Sequence, residues 1–391
     1  MLILSRAKWR KHFLKSERRI LMNKHYDVAI IGGGIIGMSI AYHLAKAGKQ
    51  IVLFEANEIG KQTTSAAAGM LGAHAEGEGD EDIFFQVGRQ SQALYEKLTV
   101  DLQHESGIDI RTSVGGIMKV AFTEQEKRAL CRMQHLPTFE WLEASSVKER
   151  LPQIADDIVG AGLIADDVHV EPYAVCRAFW QAAVRRGADV KEFTPVIDVK
   201  REKETLTVST AKGIFTCDHL TVASGVWSGR FLEELGLSHS LYPVKGECVS
   251  VWNNGPALAH TIYHDHCYIV QRDSGKLVIG ATMKPNDWQA VPTLGGIEEV
   301  IHKASQLMPS IREMPIDQCW AGLRPATSDR HPYIGKHPED ERILFATGHY
   351  RNGILLAPIT GEIIRGLIAG ESVHKEWLHA FRIGRKEALF V

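Results

Sequence analysis

The run GGGIIG at residues 32–37 constrains this chain more than any other feature. It follows an apolar, β-rich stretch, YDVAII at 26–31, and precedes residues 38–47, whose pattern predicts a helix ending at Gly48. A second β-rich stretch, QIVLF at 50–54, ends at Glu55. Strand, glycine turn, helix and strand within about 30 residues make one βαβ unit with parallel strands. Continuous apolar strands of this kind suit a sheet covered on both faces. In the G-x-G-x-x-G pattern Gly32 makes the tight turn, Gly34 lets a ligand approach the backbone, and Gly37 lets the helix pack closely. The N–H groups that open the helix hold phosphate charge, and an acidic residue at the position of Glu55 bonds a ribose hydroxyl. The unit therefore predicts dinucleotide binding.

The pattern alone does not separate FAD from NAD. Three further stretches favour FAD. Residues 61–71, KQTTSAAAGML, are rich in small and hydroxyl-bearing residues, which let backbone approach a bulky planar ligand. HLTVASGVW at 219–227 brings a second strand and glycine turn, and TGHYRNGILLAPIT at 347–360 brings a third turn leading into a helix. A helix N-terminus aimed at a flavin favours negative charge on the reduced ring. Between these α/β signals lie β-rich stretches at 107–122, 191–207, 245–252, 261–271 and 276–281, the last three reading as an antiparallel meander. Helices are expected at 85–105, at 172–186 with Pro172 in the first turn, at 295–307 and at 353–368.

The expected fold is thus α/β plus α+β: a Rossmann-type FAD-binding domain interleaved with an antiparallel-sheet substrate domain. The first is expected to take residues 23–106, 160–244 and 320–378, the second 107–159 and 245–319, with a C-terminal tail at 379–391. The acidic stretch 76–82 reads as a solvated loop.

Composition excludes several classes. Charged residues make up 24% of the chain and the net charge is −2, which leaves no electrostatic footprint for nucleic acid. No stretch reaches the roughly 18 apolar residues that span a membrane. The six cysteines form no C-x-x-C pair, so reduced thiols and a cytoplasmic location are expected. No metal is expected: His264 and His266 share a face of an extended strand, but Cys267 points the other way.

The motifs resemble those of the D-amino-acid oxidase and sarcosine oxidase family of FAD amine oxidoreductases, and within it the bacterial glycine-oxidising branch that feeds thiazole formation for thiamine. YDVAIIGGGIIG, TTSAAAGMLGAHAE, YHDHCYIV, VIGATMKP, WAGLRP and GHYRNGILLAPITG carry the resemblance, which runs from about residue 26 to 378. It implies FAD contacts at Ile35, Ile36, Glu55, Ala56, Thr63, Thr64, Ala68, Gly69, Met70, Val196, His349, Tyr350, Arg351, Asn352, Gly353, Ile354 and Leu355. It places the substrate carboxylate on Arg324 and Tyr268, with His266 and Arg351 also at the substrate. Some family members attach flavin through a cysteine just before the segment that here starts at Arg324. This chain has Gly322 and Leu323 there, so non-covalent FAD is expected. The implied partners are glycine, molecular oxygen and the thiazole synthase machinery, and the implied assembly is a homotetramer.

The residue types suit that reaction. Arg offers a planar, permanently charged fork for a carboxylate. On its own Arg324 would more often be read as a surface ion-pair residue, and from spacing alone Tyr268 reads as ordinary aromatic packing on a half-buried strand. No acid/base residue is expected, because a neutral amine can give up hydride to flavin while the protein positions it. An NAD-dependent dehydrogenase, a related FAD amine oxidase or dehydrogenase, and a non-catalytic flavoprotein are the other readings.

The first 21 residues stand apart, with seven Lys or Arg against Glu17 alone. The segment adds nothing to the βαβ unit. Glu17-Arg18-Arg19 can be encoded by a sequence containing a bacterial ribosome-binding site, so translation is expected to begin at Met22, leaving 1–22 as mis-annotated or disordered extension.

Overall fold

A computed structural model describes residues 24–76 and 82–385. The basic segment 1–22 with its Met22 start, and most of the acidic loop 76–82, lie outside the described residues. The loop's last residue, Asp82, has a defined role. Its side chain accepts a hydrogen bond from the Phe84 N–H and caps the helix Ile83–Ser106.

One sheet has eight strands. Its parallel core runs Ile343–Thr347, Gly213–Val222, His25–Ile31, Ile51–Phe54, Asp189–Lys191. The pleat sends Val28, Ile30, Ile51 and Leu53 to one face and Ala29, Ile31, Val52 and Phe54 to the other. Both faces are buried, as continuous apolar strands require. The helices Ile35–Lys46, Pro172–Arg185 and Gly353–Ala369 cover the first face. Helix ends fall within three residues of their expected positions, and Pro172 does occupy the first turn. The helix Gly353–Ala369 contains Pro358, which cannot donate to the Ile354 carbonyl one turn back. The Tyr95 hydroxyl donates to that carbonyl instead, at 2.6 Å.

The second sheet has nine strands and is antiparallel, except where Thr261–His264 runs parallel to Ile117–Ala121. It takes strands from outside the boundaries expected for it. Gly160–Ile164 lies between Ile117–Ala121 and the edge strand Phe139–Glu143, and Ile316–Ala326 pairs along Tyr242–Trp252. The run GAGLI that forms this strand is buried throughout, and its two glycines serve the packing of neighbours. A Cβ at Gly160 would lie 2.5 Å from the Trp141 ring and one at Gly162 2.6 Å from Phe139, so the glycines make room for aromatic neighbours across the strand. The expected tail is also partly built in. Phe381 and Ile383 are buried, and Arg385 forms a buried ion pair with Asp329.

The stretch 261–271 is not one strand. It is a hairpin of Thr261–His264 and Cys267–Gln271, turned by Asp265 and His266 with φ of 41° and 62°. Two positive φ angles match the twist of the flanking strands. The turn reverses the alternation, so Tyr263 rather than His264 lies opposite Tyr268.

Candidate active site

The first strand delivers the chain to Gly32, whose φ of 110° and whose approach to Ala223 exclude a side chain: a Cβ there would lie 2.5 Å from the Ala223 carbonyl oxygen. A Cβ at Gly37 would lie 1.9 Å from the Gly32 oxygen. Turn, helix and neighbouring strand are therefore packed backbone to backbone. Gly34, by contrast, has open space, with only Thr64 Oγ1 within reach at 3.6 Å of a Cβ. It caps the helix Ile35–Lys46 without a side-chain bond, leaving the positive helix end facing that space. Ile35 and Ile36 are buried in its first turn, and the Ile35 N–H donates to Thr64 Oγ1.

Glu55 sits at the end of the second strand and is nearly buried. Its carboxylate accepts from the N–H groups of Gly33 at 2.7 Å and Asn57 at 2.9 Å. Ala56 beside it is exposed. The Thr194 N–H donates to the Glu55 carbonyl, which brings buried Val196 to the same edge. A glycine cradle with open space, an uncapped helix end and a carboxylate beside it fit the pyrophosphate and ribose of FAD.

The small-residue loop joins the two sheets. Thr63 Oγ1 donates to the Leu323 carbonyl at 2.8 Å, and Trp320 Nε1 donates to the Ala66 carbonyl at 3.2 Å. Gly322 lets them meet, since a Cβ there would lie 2.6 Å from the Ala66 methyl. Ala68 and Gly69 are buried and Met70 half-buried. Arg272, absent from the sequence reading, fixes this turn. Its guanidinium donates to the carbonyls of Ala68 at 2.7 Å and Val170 at 3.1 Å. Burial is why only structure finds it: a lone Arg carries no motif.

The same docking places Arg324 at the junction. The half-buried guanidinium lies over Gly246, where any Cβ would come within 2.3–2.5 Å of it, and Nη1 donates to the Thr282 carbonyl at 3.2 Å. Tyr268 is buried, with its hydroxyl 3.5 Å from Cys248 Sγ, and Gly280 leaves room for it. Burial holds the Tyr268 phenol well above its ordinary pKa, so it stays protonated. Arg351 donates to the Tyr263 hydroxyl at 2.9 Å and to His266 Nδ1 at 3.0 Å. Arg351, His266 and Tyr263 thus form one cluster, with Tyr263 paired across the hairpin to Tyr268. His264 turns away to the Val120 carbonyl. Tyr263 was missed because the hairpin turn was read as strand; an Asp inside the supposed strand is the signal that could have found it.

The third glycine turn completes the junction. The Tyr350 N–H donates to the Pro325 carbonyl, tying 349–352 to the residue after Arg324. Gly353 opens a helix whose cap, Asn352, makes no side-chain bond, and Ile354 and Leu355 are buried in its first turn. His349 is buried against Thr360 Oγ1, and burial lowers its pKa to about 3, so it is neutral. A second uncapped helix end therefore faces the region between the two sheets.

The family model described as FAD dependent oxidoreductase, DAO, matches residues 27–367. The glycine oxidase of Bacillus licheniformis is 56% identical over 368 residues, covering 94% of this chain and all of that protein. The bifunctional protein ThiO/ThiG of Synechocystis is 32% identical over 364 residues, covering 91% of this chain and 53% of that protein. The crystal structure of glycine oxidase from Geobacillus kaustophilus superposes with a TM-score of 0.89 at 36% identity, covering 93% of this chain and all of that one.

Proposed function

This chain belongs to the DAO family of FAD-dependent oxidoreductases, and from that premise we propose that it oxidises glycine to glyoxylate and ammonia through an imine, with molecular oxygen reduced to hydrogen peroxide. The observation that carries this reading is the guanidinium of Arg324 laid over Gly246, near the buried hydroxyl of Tyr268. A planar cation and a neutral donor together recognise a carboxylate.

Gly32, Gly34, Gly37, Glu55 and the helix starting at Gly353 hold FAD, which supplies a hydride acceptor for an amine Cα–H. Arg324 binds the substrate carboxylate and Tyr268 donates to it. Arg351, with Tyr263 and His266, forms the facing wall and limits the room for a side chain on Cα. No residue serves as acid or base: the amine loses its proton to water, and the protein contributes position and charge. Sarcosine and small D-amino acids are secondary substrates.

FAD is non-covalent in this reading. Leu323 and Gly322 precede Arg324, and Cys319 stands on an exposed part of the strand. Acid precipitation should release all the yellow colour. The assembly is a homotetramer, and the imine is handed to the thiazole synthase machinery, a reading supported by the relative that joins the matching region to ThiG. The location is cytoplasmic, a reading supported by six free thiols. Among the described residues no helix is long and apolar enough to cross a membrane.

Peroxide release measured across glycine, sarcosine, D-alanine and D-proline tests the assignment. Glycine should give the highest kcat/KM, and peroxide from none of the four would overturn it.

A further inference from the structure

We propose that Glu247 is a positioning residue for the substrate carboxylate, acting through Thr282 to hold Arg324 in its binding orientation. The inference rests on the reading of Arg324 given above.

Glu247 is fully buried, where a carboxylate is costly unless its lone pairs are filled. One oxygen accepts from the Thr293 N–H at 2.7 Å and the Thr293 hydroxyl at 2.8 Å. The other accepts from Lys284 Nζ at 2.7 Å and the Thr282 hydroxyl at 3.0 Å. Lys245, itself buried, stands 3.6 Å away. Burial raises the pKa of this carboxyl, but the bonds from Lys284, Thr293 and Thr282 outweigh it and lower the value to about 2.

The backbone of Glu247 closes on the same threonine. Its N–H donates to Thr282 Oγ1 at 2.9 Å, and its carbonyl accepts from the Thr282 N–H at 3.3 Å. Thr282 is thereby pinned by hydroxyl and amide, while its carbonyl accepts from Arg324. The residue before Glu247 is Gly246, on which the guanidinium lies. One strand thus supplies both the floor under Arg324 and the clamp on its carbonyl partner.

The charges are also arranged for this role. Lys284 pairs with Glu247 at 2.7 Å and Lys245 with Asp287 at 2.7 Å, which balances the buried charges, and no carboxylate among the described residues forms an ion pair with Arg324. A buried acid placed directly on the guanidinium would compete with substrate. Here it acts one residue removed and leaves the fork available.

The test uses the FAD-loaded enzyme and two readouts, KM against kcat for glycine and the dissociation constant for acetate from its perturbation of the flavin spectrum. Loosening the buried clamp behind a binding group predicts that Glu247→Gln and Thr282→Val each raise KM and the acetate constant about tenfold, with kcat within about twofold. Thr282→Ser, which keeps the hydroxyl, should restore both. Because the effect travels through Arg324, Glu247→Gln should change neither readout further in an Arg324→Ala background.

Wild-type constants in Glu247→Gln and Thr282→Val, beside a raised KM in Arg324→Ala, would overturn the proposal, and so would additive effects. Unchanged constants in Arg324→Ala would instead remove the carboxylate reading itself. Should Glu247→Gln fail to fold, the Thr282→Val and Thr282→Ser pair decides: equal defects in both overturn the proposal.

Discussion

The half that carries the glycine turn and the half that carries Arg324 are built in opposite ways. Around Gly32–Gly37 the work is done by backbone: three glycines, a helix end, and one carboxylate accepting from two amides. Around Arg324 it is done by side chains from separate parts of the chain, Tyr263 and Tyr268 on one hairpin and Arg324 on a later strand, with Arg351 from a loop of the other half. A site made of backbone fails as a unit when a Cβ is added. A site made of side chains can lose one member and keep its shape. The loop at 61–71 is where the two strategies meet, because it packs on the cradle through Thr64 and on the strand of Arg324 through Thr63.

The sharpest way to break this contrast is Gly37→Val, which puts at least one carbon 1.9 Å from the Gly32 oxygen. Such overlap of backbone atoms costs more than about 4 kcal/mol, so the variant should be purified without flavin absorbance and without activity. A yellow Gly37→Val protein would show that the cradle tolerates what its geometry forbids.

Arg324→Ala should behave differently. FAD content and thermal midpoint should stay near wild type, while KM for glycine rises roughly 100-fold to 1000-fold through loss of a charge-assisted bidentate contact. Steady-state kinetics alongside the flavin-to-protein absorbance ratio separates the two effects. Tyr268→Phe removes one hydroxyl from the same site and should raise KM by about tenfold with FAD retained. A larger effect than Arg324→Ala would reverse the roles assigned to the pair.

The smallest expected difference lies in pH. His349 has a folded pKa of about 3, below the ordinary histidine value, so its contribution to stability is complete above about 6.5 and declines as the pH falls towards 3. The carboxyl of Glu247, lowered to about 2, loses its contribution only below the ordinary glutamate range. Acidifying from pH 7 to 5 should therefore weaken the half that carries the glycine turn through His349 while leaving the Glu247 network charged. In His349→Gln the fall in unfolding free energy over that interval should be smaller by about 2 kcal/mol, measured by denaturant titration at each pH. Equal falls in both proteins would show that His349 titrates normally.

What could be read from the chain follows the same division. GGGIIG, its flanking strands and Glu55 were legible because turn, phosphate cradle and helix are consecutive in sequence. Helix limits were legible from periodicity and from Pro172. The hairpin at 265–266 was not read, since Asp265 inside an apolar run is a weaker turn signal than the Gly or Asn that usually supplies a positive φ. That one turn puts Tyr263, rather than His264, opposite Tyr268. Glu247 and Arg272 were illegible for another reason. Their partners are Thr282, Thr293, Lys284 and the carbonyls of Ala68 and Val170, and no local pattern marks such distant bonds. The boundary expected at residue 160 overlooked the strand Gly160–Ile164, because apolar composition reports burial and not the identity of the neighbour.

The sequence by itself determined that this chain folds around a parallel sheet with a glycine cradle for FAD and belongs with the amine oxidoreductases, since those features depend on backbone conformations a few residues long. The tertiary structure alone decided which side of the hairpin faces Arg324, which carbonyl steadies that guanidinium, and how the two sheets dock through Gly322. Those are long-range pairings, chosen by packing and by the need to satisfy buried charge, and they exist only once the whole chain is assembled.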